Sequence, residues 1–160
     1  MPAPGADALV SALTERGQTV GTAESLTGGR LCAALVDVPG ASAVVRGAVV
    51  AYATGVKTDV LGVAGSIVDE HGAVSAETAR AMAERARAVL GADWGVATTG
   101  VAGPDSAEGQ PPGTAYVAVA GPERVVNRRL RLGGDRDAVR AGTVRAAVVL
   151  TLEEVAGATA

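Results

Sequence analysis

The sequence predicts an α/β fold: a three-layer α/β/α sandwich around one mixed sheet of about five strands. Three observations lead there. Short β-rich apolar runs interleave with segments whose apolar residues recur at helical spacing. Their order along the chain, α β α β α α β β β α, places helices on both faces of one sheet. The chain's 160 residues, 48% of them apolar, are enough to bury a sizeable core as a single domain over 1–160. Aromatic residues are only 2% and Phe is absent, so that core is built mainly from Ala, Val and Leu.

Each element has its own signal. Residues 6–16 read as a short amphipathic helix with Leu9, Val10 and Leu13 inward, stopped at Gly17. Residues 18–23 (QTVGTA) read as a strand, and RLCAALVDV after it as a helix ended by Pro39-Gly40. Residues 47–53 (GAVVAYA) form a β-rich run, and 56–62 a helical turn or two. Ser75 is placed to N-cap a helix over 76–90, with Ala79, Met82, Ala83, Ala86, Val89 and Leu90 on its inner face. Residues 93–99 and 114–120 read as buried strands, and 124–132 (RVVNRRLRL) as an edge strand. Asp135 starts a last helix to about 155, with Val139, Thr143, Ala146, Ala147 and Leu150 as its inner stripe. Between strands lies the long loop 101–113 (VAGPDSAEGQPPG), of a length often tied to function.

Composition narrows the function. No run is long enough to span a membrane, the N-terminus lacks the pattern of a signal peptide, and Cys32 is the single cysteine. Together these predict a cytoplasmic protein. One cysteine and one histidine, His71, cannot make the usual zinc sets, so no metal is expected. The net charge of −3 argues against general nucleic-acid binding. Residues 124–160, however, carry seven arginines against four acids, a locally basic end suited to a small anion. The arginine-rich edge strand also favours a homodimer.

One basic residue stands apart. Of fourteen Lys and Arg residues, thirteen are arginine, and Lys57 is the single lysine. Arginine stays protonated, whereas a buried lysine can lose its proton and act as a base. Lys57 is therefore either an ordinary surface cation or a group that must titrate. In TAESLTGGR (22–30), Ser25 falls between a strand end and a helix start, exposed at the carboxyl edge of the sheet. The backbone N–H groups of Thr27, Gly28 and Gly29 then hold either a phosphate or an oxyanion. The bland alternative is that Ser25 or Thr27 merely caps the helix. A strand ending at Tyr52 brings Tyr52 and Lys57 to the same edge, where the amine can take the serine proton directly or through the phenol. A free lysine, with a pKa near 10.4, is neutral in only about 1 in 2,500 molecules at pH 7, so the site must lower that pKa. TTGVAGP (98–104) reads as backbone pressed against a flat ligand, giving Thr99, Gly100 and Gly103 as contacts. GGDRDAVR (133–140) sets Arg136 and Arg140 one turn apart, either as a phosphate cradle or as solvated charges. Trp94 and Tyr116 read as packing residues.

TAESLTGG, VVAYATGVKTDVLGV with GAVSAETA, TTGVAGP…PPGTAYVAVA and GDRDAVR, in this order, resemble the CinA C-terminal domain family over about residues 5–155. The resemblance implies a nicotinamide-nucleotide amidohydrolase, which turns nicotinamide mononucleotide and water into nicotinate mononucleotide and ammonia without metal or organic cofactor. It places the family's serine on Ser25, its tyrosine on Tyr52 and its lysine on Lys57. It leaves Arg136 or Arg140 to bind the 5′-phosphate. The chain departs from the family pattern at Leu26, Ala53, Thr54, Arg85, Ser106 and Gln110. Two other readings remain open: a nucleotide-binding module without turnover, and an interaction domain linked to DNA uptake or damage, which the acidic balance disfavours.

Overall fold

A computed structural model describes residues 2–159. Its elements run α1 (Ala6–Arg16), β1 (Val20–Glu24), α2 (Arg30–Val36), a 3-10 turn (Ala41–Ala43), β2 (Val45–Val50), α3 (Thr54–Asp59), α4 (Gly65–His71), α5 (Ala76–Leu90), β3 (Trp94–Gly100), β4 (Thr114–Ala120), β5 (Val125–Arg131) and α6 (Arg136–Gly157). The five strands form one mixed sheet in the order β2-β1-β3-β4-β5. β1 pairs in parallel with β2 and β3, while β3–β4 and β4–β5 are antiparallel. The expected α/β sandwich with one mixed sheet is what the chain adopts.

The two faces of the sheet carry different residue sizes. Val20, Trp94, Val96, Val117 and Val119 pack on one side with α1, α2 and α6. Ala23, Ala97, Ala118 and Ala120 pack on the other, with Ala79, Met82, Ala83 and Ala86 of α5. This alternation is the period-2 pattern of strands buried on both faces. The small face lets α5 lie close to the sheet. At Gly95 a Cβ would sit 2.1 Å from the Ala83 carbonyl oxygen, so the contact requires glycine there.

Several boundaries differ from the sequence expectation. The first strand spans 20–24 rather than 18–23, so Glu24 lies within the sheet. The second ends at Val50, before Tyr52. There the chain turns: the Ala51 N–H still bonds Glu24 O at 2.8 Å, but the next carbonyls face Lys57 instead of a neighbouring strand. α4 was not anticipated, because in seven residues with one buried apolar side chain, Val68, there is no periodicity to read. On α5, Val89 is 46% exposed rather than inward. Leu90 fills the space above Gly21, where a Cβ would meet Leu90 Cδ1 at 2.6 Å. On α6, Ala146 is only half-buried, and Val144 and Val148 complete the inner stripe. Among the described residues no helix is long and apolar enough to cross a membrane.

Candidate active site

The site forms where the parallel strands end. β1 stops at Glu24 and the chain makes a tight turn through Ser25–Gly29 into α2. Gly28 and Gly29 take φ of 57° and 100°, left-handed backbone that glycine adopts without steric penalty. Ser25 is held from behind by its own N–H, which donates to Thr98 O at 3.0 Å in β3. The residue is buried rather than exposed at the sheet edge, with 8% of its surface accessible.

Glu24, fully buried, organises the turn. Its Oε1 accepts from Thr27 Oγ1 at 2.7 Å, Leu31 N at 2.9 Å and Gly29 N at 3.2 Å. Its Oε2 accepts from Cys32 N at 3.0 Å and Thr22 Oγ1 at 3.1 Å. A single carboxylate thus takes up the amides that open α2, the groups a short helix otherwise leaves unpaired. Thr27 Oγ1 also lies 2.7 Å from Thr98 Oγ1. The amides of Gly28 and Gly29 are therefore not free for an oxyanion or phosphate: Gly28 N–H bonds Ser25 O at 3.1 Å and Gly29 N–H bonds Glu24. Glu24→Gln would present an amide to donors at both ends of the group and is expected to destabilise the fold by about 2–4 kcal/mol. Urea unfolding at neutral pH measures it.

Lys57 comes from α3 and is 1% exposed. Its Nζ lies 2.7 Å from Ala51 O, 3.2 Å from Tyr52 O and 3.0 Å from Ser25 Oγ. Two carbonyls can accept only hydrogens, so they fix two of the amine's positions. The third points at the serine. As an ammonium Lys57 donates to Oγ there; as a neutral amine it turns its lone pair to the Oγ proton. Burial pushes the Lys57 pKa down from 10.5, and the Glu108 carboxylate partly opposes the shift.

Around this pair opens a cavity of about 550 Å³, within the range that holds small ligands. Ser25, Lys57, Tyr52, Thr99, Gly100, Gly103 and Arg136 all line it. The Tyr52 phenol, 60% exposed, accepts from Arg136 Nη2 at 3.1 Å, and Arg136 Nη1 donates to Gly103 O at 2.7 Å. Tyr52 thus reaches the amine through its carbonyl, and the phenol makes no hydrogen bond to Ser25 or Lys57. Thr99 is buried and donates from Oγ1 to Ala73 O at 2.7 Å. Gly100 and Gly103 do line the cavity, but their lack of a side chain answers to the chain itself. A Cβ at Gly100 would lie 2.7 Å from Ala115 Cβ, and one at Gly103 2.9 Å from Pro112 Cβ. Thr27, Gly28, Gly29 and Arg140 lie behind the cavity wall. Arg140 braces the turn, donating from Nε to Leu26 O at 2.8 Å and from Nη2 to Thr27 O at 3.3 Å. Among the described residues no group of three or more His, Cys, Asp or Glu could hold a metal ion.

Over residues 3–155 the chain matches the CinA C-terminal domain family. It belongs to that family. A CinA-like protein of Frankia casuarinae is 48% identical over 93% of the chain, and one of Gloeobacter violaceus 45% identical over 94%. The chain covers 34% and 36% of those two proteins, about a third of their length. The fold is shared with a CinA superfamily protein of Klebsiella pneumoniae, with TM-score 0.92, 34% identity and 96% of each chain covered. It is also shared with a competence/damage inducible protein of Agrobacterium tumefaciens, with TM-score 0.88, 35% identity and 94% of each chain covered.

Two carboxylates of this CinA domain escaped the sequence reading. Glu24 directly precedes Ser25, where a carboxylate entering a helix start was a usable signal. Glu108 had none. It sits in the loop 101–113 and accepts from Ala73 N at 3.0 Å and Val74 N at 2.9 Å, which ties the cavity's roof to the start of α5.

Proposed function

We propose that this domain is an amidase acting on a pyridine nucleotide, converting nicotinamide mononucleotide and water to nicotinate mononucleotide and ammonia. The observation that carries the reading is the buried Lys57–Ser25 pair, 3.0 Å apart, with the amine held by two carbonyls. Neutral Lys57 takes the Ser25 proton as Oγ attacks the carboxamide carbon. The Gly28 amide is taken by Ser25 O and the Gly29 amide by Glu24, so the Leu26 amide, next to the attacking serine, is the donor assigned to the developing oxyanion. The tetrahedral intermediate expels its nitrogen, which leaves as ammonia with the proton carried by Lys57. Water then gives a proton to Lys57 as it attacks the ester carbonyl, and Lys57 passes that proton to Ser25 Oγ as the C–O bond breaks, which frees nicotinate mononucleotide and restores the serine and the neutral amine.

Tyr52 orients Lys57 through its carbonyl and holds Arg136 through its phenol. Arg136, exposed and lining the same cavity, receives the 5′-phosphate. Arg136→Gln is expected to raise KM for the mononucleotide by about 10- to 100-fold while kcat changes little, because the phosphate contact is the same in ground and transition states. Initial rates over a range of substrate concentrations separate the two effects.

The reading as a whole is tested by ammonia release from nicotinamide, its riboside, its mononucleotide and the dinucleotide. Release chiefly from the mononucleotide is expected. No release from any of the four would refute it.

A further inference from the structure

Four charged side chains line the cavity: Lys57, Arg136, Asp105 and Glu108. Arg136 is engaged at one end by Gly103 O and the Tyr52 phenol. Glu108 is tied to the reacting end through β3: Thr98 O holds the Ser25 amide, Thr99 Oγ1 donates to Ala73 O, and the Ala73 amide donates to Glu108. Its carboxylate is placed, not free-swinging. One oxygen accepts from the Ala73 amide and the other from the Val74 amide. Its backbone takes φ of 52°, the left-handed region that non-glycine residues seldom adopt and the only such case among the described residues. Gln110 Nε2 donates to Val74 O and secures the same stretch of loop.

The charges at this end do not balance during the proposed reaction. When Lys57 is an ammonium, it and Glu108 are opposite charges lining one cavity. When Lys57 is the neutral amine that can accept a proton, that positive charge is gone, and the other cation of the cavity, Arg136, is engaged by Gly103 O and the Tyr52 phenol. The two amides take one lone pair from each oxygen, so the carboxylate keeps further acceptor capacity.

We propose that the Glu108 carboxylate is the counter-charge for a cationic, N-substituted heteroaromatic ring, and that it selects the charged pyridinium of a nucleotide over an uncharged ring of the same shape. The proposal rests on the reading of the cavity as a pyridine-nucleotide site. It assigns the ligand three contacts along the cavity: the carboxamide at Ser25 and Lys57, the ring cation at Glu108 and the phosphate at Arg136.

The test compares nicotinamide mononucleotide with its reduced form, whose dihydropyridine ring is uncharged while carboxamide, ribose and phosphate are kept. Both are titrated calorimetrically into the Ser25→Ala chain, so that binding is read without turnover, and then into the Ser25→Ala/Glu108→Gln chain. The oxidised form is expected to bind more tightly to the first chain and to lose about five- to tenfold in the second, with the reduced form changed by less than twofold. A loop tether alone would weaken both forms equally, and that outcome overturns the proposal, as does no change for either. Ammonia release by the unaltered chain is measured separately. Release with no ring selectivity refutes the role of Glu108 alone; no release refutes the parent reading; and no binding of either form refutes both.

Discussion

Lys57→Arg is expected to lower kcat/KM for ammonia release by at least about 1,000-fold, although it keeps the positive charge. Lys57 is 1% exposed and its three polar neighbours are spaced for a compact amine. A guanidinium is larger, and it stays protonated under any condition in which the protein is folded. It can donate to Ser25 Oγ but never accept its proton. Lys57→Met removes the base as well and is expected to match it in activity, while giving a second readout through stability. Burial lowers the Lys57 pKa in the folded chain below its unfolded value of 10.5. Between those two values the unfolded chain binds more protons, so stability increases with pH across that window. The contribution is fully present above 10.5 and is lost as pH falls through the folded value. The stability of the parent chain minus that of Lys57→Met, from urea unfolding, should therefore grow as pH rises from neutrality. A difference that is flat with pH, or that shrinks, contradicts the buried-amine account.

Ser25→Ala is expected to reduce kcat by roughly 10,000-fold while the dissociation constant for nicotinamide mononucleotide changes by no more than a few-fold. The side chain is small, and the turn that carries it is held by other groups: Thr98 O, the Glu24 carboxylate and Arg140. Losing the hydroxyl should therefore leave the cavity intact. This variant also separates the amidase from a domain that only binds nucleotide. In the amidase, binding persists and ammonia release stops. A binding module releases no ammonia with or without the hydroxyl. Single-turnover assays and calorimetry on the same preparation give both numbers.

The fold was legible in the sequence wherever a period could develop. Helices α1, α5 and α6 and the strands β3, β4 and β5 show it over seven residues or more. α4 is too short to show it. The proximity of Ser25 and Lys57 followed from placing β1 and β2 in one sheet; that they are parallel neighbours there is what the structure adds. What the sequence could not carry is how groups are used once they meet. Three residues from the glycine-rich turn and one arginine, Arg140, read as ligand contacts but lie behind the cavity wall. Of the amides the turn was expected to offer, the buried Glu24 takes that of Gly29 and Ser25 O takes that of Gly28. That depends on the depth of a side chain one residue from the serine, and β1 is buried along its whole length. Tyr52 meets Lys57 through a backbone carbonyl, a contact any residue type could make, which the phenol could not have signalled. Glu108 reaches Ala73 and Val74 across more than thirty residues of chain, a pairing set only by tertiary structure.

Because Lys57 is the chain's single lysine, incorporating 15N-labelled lysine yields one side-chain amine signal with no assignment to make. Following that signal by NMR as pH is raised reads the protonation of the proposed base directly. Titration clearly below the ordinary lysine value of about 10.4 is the predicted result. Titration at or above that value would mean that the pocket keeps the amine charged, and Ser25 would have no base.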